Sequence, residues 1–337
     1  MSSAPPRRER PFISVVVPCY NEEESLGPLH ARLTKVLRAA TDEYEIVYAN
    51  DGSKDGTLAI IRDLASRDPH VRGVDLSRNF GHQACLTAGL DRARGEVVMM
   101  IDADLQDPPE LLPKMLTKWR AGADVVYAVR KKRRGESPFK LATAAAFYRL
   151  LRACTKINIP LDTGDFRLID RRALDATLSL RESSRFLRGM FSWIGFRQEP
   201  VHYTRQERYA GETKYPLRKM MRFAFDGIAS FSSAPLQLAV WIGLTSAAVA
   251  FLYGLRVIAQ GIRGETVPGW ASTTVSVLFL GGVQLVTIGL LGEYISRIFE
   301  EVKGRPLYLV RETIEAESMA ERKSLDAGED LRANGGV

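Results

Sequence analysis

Cysteine is scarce in this chain of 337 residues, and its three cysteines, Cys19, Cys85 and Cys154, lie too far apart for a C-x-x-C pair. This spacing argues against a disulfide framework and cysteine-ligated zinc, and it favours a reducing compartment. The glycine-rich loops G-x-G-x-x-G and G-x-x-x-x-G-K are missing from the predicted strand ends, which disfavours a dinucleotide oxidoreductase or a P-loop NTPase. No apolar segment precedes the first predicted strand at residues 13–17, so we expect no cleaved signal peptide.

Charge is also missing from two long stretches, residues 227–255 and 266–292. Each stretch exceeds the roughly 20 residues that a bilayer core requires. The average composition conceals them, because 45% hydrophobic residues, 26% charged residues and a mean hydropathy of −0.12 are typical of a soluble protein. We predict membrane spans at about 234–256 and 269–292, which form a hairpin over 234–292. Two helices buried in a large soluble core are the alternative.

The flanking charges predict the orientation of this hairpin. Basic residues lie shortly before the first span, at Arg205, Arg208, Lys214, Arg218, Lys219 and Arg222. The connection between the spans has only Arg256 and Arg263. The positive-inside rule therefore places both termini and the large N-terminal part in the cytoplasm of a multi-pass inner-membrane protein.

The segments around the hairpin have their own patterns. Residues 216–233 alternate basic and bulky apolar residues, which predicts an amphipathic juxtamembrane segment, although a simple helix entering the bilayer fits equally well. We expect disorder in residues 1–11 and, in the cytosolic tail 293–337, a frayed helix and then disorder past Arg311. The net charge of +7 is then expected largely at the membrane surface, so no nucleic-acid partner is needed to explain it.

Short β-branched segments alternate with longer amphipathic segments from residue 12 onward, which predicts an α/β domain with a mostly parallel sheet over residues 12–215. The predicted strands are 12–18, 44–49, 71–76 and 96–101, with helices at 25–40, 57–67 and 82–93. Ligands of such sheets bind at the carboxyl ends of the strands. Three turns there have carboxylates: PCYNEEE at 18–24, NDGS at 50–53 and DADLQDPPE at 102–110.

Asp102 and Asp104 are two residues apart after a predicted strand, so in extended geometry their side chains point the same way. Two hard oxygen ligands suit Mg²⁺ or Mn²⁺ bridging the phosphates of a nucleotide. Gln106 continues the alternation and is a third, neutral ligand if the chain stays extended. Solvated loop carboxylates or helix caps are the alternative explanation of a D-x-D pair.

Three ordered motifs, VVVPCYNE at 15–22, NDGSKDGT at 50–57 and DADLQDPPE at 102–110, resemble family 2 glycosyltransferases with the GT-A fold, a Rossmann-like α/β domain. Within that family SRNFGHQ at 77–83, TGDFR at 163–167 and RYAGETKY at 208–215, followed by two spans, resemble the polyprenyl-phosphate glycosyltransferases. These include dolichol-phosphate mannose synthase and the bactoprenol glucosyltransferases. The resemblance covers roughly residues 12–310. Asn50 departs from it, because many members have Asp there.

The resemblance implies roles for individual residues. Nucleotide binding is implied for Pro18, Tyr20, Asn21, Glu22, Asp51 and Asp102, with turn chemistry as the alternative for Pro18, Asn21 and Gly52. Catalytic roles are implied for Asp102, Asp104, Asp165 and Arg167. Binding of the acceptor phosphate is expected of Arg130, Arg167, Arg205, Arg208 and Lys214, because guanidinium groups can bind phosphate bidentately. For the last three, which lie shortly before the first span, a solvated charge run is the alternative. For Asp165 three roles stay open: it binds a donor hydroxyl, it orients Arg167, or it caps a helix. His82 is not assigned to the site.

Our hypothesis is an inverting transfer of one sugar, from UDP-glucose in its leading form, to polyprenyl (undecaprenyl) phosphate at the cytoplasmic face. An acceptor phosphate is already an oxyanion, so the enzyme must bring two anions together and stabilise a departing diphosphate. A processive polysaccharide synthase is disfavoured because Q-x-x-R-W and additional spans are missing. A non-catalytic scaffold or nucleotide sensor of the same fold is the non-enzymatic alternative. Resemblance to tetrameric members and Gly281, Gly282 and Gly289 predict a homo-oligomer.

Overall fold

A computed structural model describes residues 12–130, 163–183, 185–204, 234–264 and 269–315. These residues form two compact units, an α/β unit and a helical unit. Outside the described residues lie segments 1–11, 205–233 and 316–337, and with them the predicted disordered N-terminus, the amphipathic segment and Arg205, Arg208 and Lys214.

The described part of the α/β unit contains the following elements, in chain order: β1 Ile13–Cys19, α1 Leu26–Ala40, β2 Tyr44–Asn50, α2 Thr57–Arg67, β3 Val71–Leu76, α3 His82–Leu90, β4 Val97–Met100, a 3₁₀ turn Pro109–Leu111, α4 Leu112–Arg120, β5 Val125–Arg130, β6 Thr163–Asp170, α5 Arg171–Ser179, α6 Leu187–Trp193, β7 Gln198–Tyr203 and β8 Val310–Ile314.

The strands form one mixed sheet with the order β7-β5-β6-β4-β1-β2-β3-β8. Strands β3, β2, β1 and β4 are parallel neighbours, β7 is parallel to β5, and β6 and β8 run antiparallel to their neighbours. The predicted α/β class with a mainly parallel sheet is confirmed.

The central strands are continuous apolar segments because both of their faces are buried. All seven residues of β1 and all seven of β2 are buried, because helices cover both faces of a parallel sheet. Helix α1 has a leucine stripe at helical spacing, which packs in the same core as β1 and β2: Leu26, Leu29, Leu33 and Leu37.

Strand register brings the functional turns to one edge of the sheet. Cys19 of β1 is opposite Asn50 of β2, and Val16 is opposite Met100 of β4, so the turns after these parallel strands leave the sheet at the same edge. Strand β6 is antiparallel, with Arg167 opposite Met100. The N-terminal residues of β6, including Asp165, therefore start at that edge beside the turn that follows β4.

The segment after the second long helix differs from the prediction of a frayed helix past Arg311. Residues Val310–Ile314 form β8, antiparallel to β3, with Gly73 opposite Ile314 and Asp75 opposite Glu312. The physical reason is the edge of the sheet: without β8, the backbone polar groups of β3 would have no strand partner on that side. Ile314 packs against the core, so an apolar contact also holds the strand in place.

The helical unit contains two long helices, α7 Ala234–Ile262 and α8 Trp270–Val302. Their 29 and 33 residues correspond to about 44 and 50 Å. Both are long and apolar enough to cross a membrane, over Ala239–Gln260 and Val275–Val302, and neither stretch is buried in the protein. Large apolar side chains on these helices are exposed, for example Trp241. The prediction of two apolar helices after the sheet domain is confirmed.

Gly89 tests the packing of α3 on the sheet. A Cβ at this position would overlap the Val16 side chain of β1, whereas nothing lies within 4 Å of a Cβ at Gly27 in α1. We expect Gly89→Ala to lower the free energy of unfolding by about 1–3 kcal/mol through overpacking. Gly27→Ala, the control, should be neutral or stabilise by up to about 1 kcal/mol. Denaturant unfolding of both variants measures this, and equal stability of the two would contradict the packing.

Candidate active site

Two turns at the edge of the sheet are tied together by hydrogen bonds. The backbone amide of Asn21 donates to Ser53 Oγ at 3.0 Å, and the backbone amide of Lys54 donates to the side-chain oxygen of Asn21, Oδ1, at 2.9 Å. The Glu22 amide donates to Thr57 Oγ1 at 2.8 Å. These bonds hold Asn21 in the left-handed region, with φ 55°. The turns after β1 and β2 thus form one preorganised unit.

Of the other residues predicted in the first turn, Pro18 and Tyr20 are in contrasting environments. Pro18 is a buried residue of β1, whereas Tyr20 is 43% exposed. The exposed tyrosine ring is the available stacking surface of this turn.

Asp51 is buried and already makes two hydrogen bonds with backbone. The Phe80 amide donates to Oδ1 at 2.7 Å and the Gly81 amide donates to Oδ2 at 3.0 Å. Burial raises the pKa of Asp51, and these two donors oppose the shift. Gly52 has φ 64°, and a Cβ there would lie 2.7 Å from the Arg78 backbone. Asp51 therefore locks the second turn to the loop at 78–81, and its contact with a nucleobase stays a prediction.

The chain does not stay extended after β4, because Ala103 and Asp104 lie in a turn. The extended-geometry argument is therefore wrong for the Asp102–Asp104 pair as well as for Gln106. Leu105 has φ 58°, and the backbone amide of Gln106 donates to Asp104 Oδ1 at 3.1 Å across a turn. Gln106 itself is buried. The positive φ at Leu105 interrupts the alternation of side chains between Asp104 and Gln106. The prediction of Gln106 as a third metal ligand required an extended chain, and this condition is not met.

Acidic side chains concentrate around Asp102. Burial raises the pKa of Asp102 to about 6; the carboxylates of Asp165, Asp107 and Asp104 act in the same direction, and His82 opposes them. A cation near this carboxylate would relieve that repulsion. Within the described residues, no group of three His, Cys, Asp or Glu side chains is arranged to hold a metal ion. Asp102 and Asp104 would supply only two carboxylate ligands, which suits a hard cation that takes its remaining ligands from a substrate and water.

Asp165 is the centre of a buried charge network. Arg188 donates to its two carboxylate oxygens from Nε at 2.9 Å and Nη2 at 3.2 Å, and Gln83 Nε2 donates at 3.3 Å. His82 Nε2 lies 3.2 Å from Asp165 Oδ2 and 3.6 Å from Asp102 Oδ1. Burial alone would raise the pKa of Asp165, but the charge of Arg188 and the His82 hydrogen bond hold it well below its usual range. The network links β6, α3 and α6.

This geometry argues against two of the three roles considered for Asp165. It lies within β6 and caps no helix; the N-cap of α5 is Asp170. Its ion pair is with Arg188, whereas Arg167 Nη2 donates to the Gly164 carbonyl at 3.1 Å. Helix capping is therefore wrong, and orientation of Arg167 by an ion pair finds no support. Binding of a donor hydroxyl stays a prediction.

The two predicted arginines within the described residues are both near this network. Arg167 is buried, its guanidinium lies 4.9 Å from the Phe191 ring centroid, and burial lowers its pKa to about 10. Arg130 Nε donates to Tyr203 Oη at 3.2 Å, and that hydroxyl donates to Asp107. Arg130 is therefore connected, through one tyrosine, to the acidic turn after β4.

Sequence reasoning left out three side chains of this network, His82, Gln83 and Arg188. Two of them lie in the SRNFGHQ motif, so the signal was present but pointed to no partner. Asp102 and Asp165 both raise the pKa of His82, against the effect of burial. Arg188 lies in no recognised motif. Only the fold brings α6 next to β6.

Removing Arg188 should destabilise the protein, because it would leave the Asp165 carboxylate buried without its main counter-charge. We expect Arg188→Met to cost about 3–5 kcal/mol. The control is Arg32→Met, which breaks a bidentate ion pair with Glu110 whose carboxylate is exposed and should cost about 0–1 kcal/mol. Denaturant unfolding of the full chain in detergent gives both values; similar losses in the two variants would contradict a buried network.

Comparisons with known proteins identify the family of this chain. The family model Glycosyl transferase family 2 matches residues 14–178, and the GtrB C-terminal hairpin model matches residues 234–298. YkcC of Bacillus subtilis, an uncharacterized glycosyltransferase, is 49% identical over 89% of this chain and 93% of its own length. A prophage bactoprenol glucosyl transferase homolog of Escherichia coli is 43% identical, and the SfII prophage-derived bactoprenol glucosyl transferase of Shigella flexneri is 44% identical; each match covers 89% of this chain and 98% of the relative.

A solved structure, the mannosyltransferase PcManGT from Pyrobaculum calidifontis in complex with GDP-Man and Mn²⁺, is 18% identical, with 83% of this chain and 87% of that chain covered and a TM-score of 0.42. The relatives are far more similar, and they match over nearly the full length. Together with the two family models, they show that this chain belongs to glycosyl transferase family 2 and is a glycosyltransferase with a GtrB-type C-terminal hairpin.

Proposed function

We propose that this glycosyltransferase transfers one sugar from a nucleotide sugar to polyprenyl phosphate, with UDP-glucose as donor and undecaprenyl phosphate as acceptor. The observation that carries the proposal is the cluster of acidic side chains around Asp102, placed beside the paired turns after β1 and β2. Relatives named bactoprenol glucosyl transferases, 43–44% identical over nearly their full length, support the lipid acceptor.

The chemistry needs no general base at the acceptor. A phosphate oxygen of the lipid attacks the anomeric carbon while the bond from that carbon to the nucleotide diphosphate breaks, and the diphosphate leaves with the electron pair. A single displacement of this kind inverts the anomeric centre. Mg²⁺ or Mn²⁺ held by Asp102 and Asp104 would neutralise the donor diphosphate. Arg130 and Arg167 supply positive charge at the site for the incoming phosphate.

The remaining parts of the chain have roles in the same proposal. We assign residues 12–215 to catalysis, 216–233 to the membrane surface and 234–292 to a hairpin with both ends in the cytoplasm, as the flanking basic residues favour. Arg205, Arg208 and Lys214 then lie shortly before the membrane, where a lipid phosphate at headgroup level arrives. Self-association through small residues of α8, such as Gly281, completes the proposal.

The direct test is sugar transfer by the purified full chain. Labelled UDP-glucose, UDP-galactose, UDP-N-acetylglucosamine and GDP-mannose are each incubated with undecaprenyl phosphate and Mg²⁺, and lipid-linked sugar is detected by mass spectrometry. We expect product with UDP-glucose, its loss with EDTA and its recovery with Mg²⁺ or Mn²⁺. Product with none of the donors would refute the function, whereas product with another donor alone would replace the proposed sugar.

Asp104→Asn should abolish transfer while preserving the fold. Asn keeps an oxygen for the backbone amide of Gln106, but it removes the negative charge that would help to hold a metal ion at the diphosphate. We expect a fall in kcat of about 100-fold or more. The control is Asp63→Asn on α2, which removes a carboxylate from an exposed i,i+4 ion pair and should leave kcat unchanged. Full cellular function with Asp104→Asn would favour the non-catalytic scaffold.

A further inference from the structure

Arg311 lies in β8, the strand that follows the second apolar helix. Its Nη1 donates to Asp75 Oδ2 at 3.3 Å, and its Nη2 donates to the Ser77 carbonyl at 2.6 Å. Both partners lie at the carboxyl end of β3, the end at which the turns of the candidate active site gather. Arg311 therefore connects the C-terminal strand to that edge of the sheet.

The first connection continues through buried side chains to the nucleotide turns. Asp75 is completely buried, and its Oδ1 accepts a hydrogen bond from Asn50 Nδ2 at 2.7 Å. Asn50 Oδ1 accepts from Ser53 Oγ at 2.5 Å, and Ser53 Oγ in turn accepts from the Asn21 amide at 3.0 Å. An unbroken series of hydrogen bonds thus runs from Arg311 to both turns.

The second connection reaches Asp51. The Ser77 carbonyl, which accepts from Arg311, precedes the loop at 78–81. The amides of Phe80 and Gly81 in that loop donate to the Asp51 carboxylate. Two independent routes therefore join one guanidinium to the residues that the resemblance assigns to nucleotide binding.

The same contacts account for Asn50, the departure from the family pattern. A carboxylate as deeply buried as Asp75 needs hydrogen-bond donors. Asn50 supplies one through its amide nitrogen, whereas an aspartate there would place two carboxylates against each other. Asn50, Asp75 and Arg311 form one complementary set.

We propose that Arg311 is a positioning residue for the nucleotide turns, acting through Asp75 and Asn50, so that the strand following the membrane hairpin sets the affinity for the nucleotide part of the donor. The identity of that nucleotide rests on the proposed function. Removing Arg311 should loosen the turns and weaken nucleotide binding, with little effect on the chemical step.

Other ion pairs near Arg311 provide a control that distinguishes this positioning role from simple attachment of β8 to the rest of the α/β unit. Glu312 of β8 pairs with Arg62 at 2.6 Å, and Glu315 pairs with Arg72 at 2.5 Å. The Arg62–Glu312 pair joins β8 to α2 without contacting either nucleotide turn. Glu312→Gln is therefore the matched control, because it removes one ion pair from the same strand and leaves the Arg311 contacts in place.

The experiment compares Arg311→Gln, Arg311→Lys and Glu312→Gln in the full chain with wild type. The dissociation constant of UDP is measured by calorimetry, and KM and kcat are measured with UDP-glucose. For Arg311→Gln we expect the dissociation constant and KM to rise about fivefold to tenfold, with kcat changed by less than about twofold. Arg311→Lys keeps the charge beside Asp75 and should be intermediate. Glu312→Gln should match wild type.

Several results would overturn the inference. Unchanged nucleotide affinity in Arg311→Gln would do so, as would equal weakening in Glu312→Gln or a fall in kcat with unchanged KM. If Arg311→Gln does not fold, the lysine variant decides by the same criteria. Wild type that binds UDP but transfers no sugar refutes only the proposed function, because UDP affinity still tests Arg311. Wild type that binds neither UDP nor GDP refutes both.

Discussion

The ion pair between Asp165 and Arg188 is the interaction on which the candidate active site depends. A carboxylate this deeply buried is stable as an anion only with a counter-charge close by, and α6 supplies it while His82 and Gln83 of α3 complete the contacts. The network therefore determines how β6, α3 and α6 meet. It also places His82 within reach of Asp102, which connects the structural anion to the acidic turn after β4.

Compensation of negative charge by nearby positive charge also shapes the rest of the site. Negative side chains gather at one edge of the sheet, where the donor's diphosphate is also expected to bind, and this concentration would be repulsive without cations. Arg130, Arg167 and Arg188 supply fixed positive charges, and a divalent ion at Asp102 and Asp104 would supply the remainder. Because the acceptor in our proposal is itself an anion, binding and charge neutralisation do most of the catalytic work.

Local patterns predicted the elements of the α/β unit from β1 to β4, because burial on both faces of the sheet imposes continuous apolar strands and striped helices. The elements from α4 to β7 were not located individually from the sequence. Strand β1 and helix α1 were predictable on this basis. Strand β8 was not, because its register depends on an open edge of β3 more than two hundred residues earlier in the chain. Its charged sequence, with Arg311 and Glu312 between Val310 and Ile314, resembles a solvated segment until that edge is known.

The site divides in the same way. Motif residues such as Asp51 and Asp102 were identifiable because strand ends and carboxylates are local features. The turn at Leu105 was missed because a positive φ in a non-glycine residue is maintained by its surroundings. Arg188 was missed because an ion pair between distant elements leaves no spacing in the sequence. The asparagine at position 50 is explained by its hydrogen bond to Asp75, a residue of the neighbouring strand that no local pattern connects to it.

In the proposed function, Asp102 and Asp104 would hold the diphosphate end of a nucleotide sugar through a cation, beside the turns after β1 and β2. The decisive measurement is a cryo-electron microscopy map of the full chain in lipid nanodiscs with UDP and Mn²⁺. We expect the base against the turns that contain Tyr20 and Asp51, with a cation in contact with both the diphosphate and the carboxylates of Asp102 and Asp104. Nucleotide bound away from this edge of the sheet, or a diphosphate with no cation at these carboxylates, would refute this function of the two aspartates.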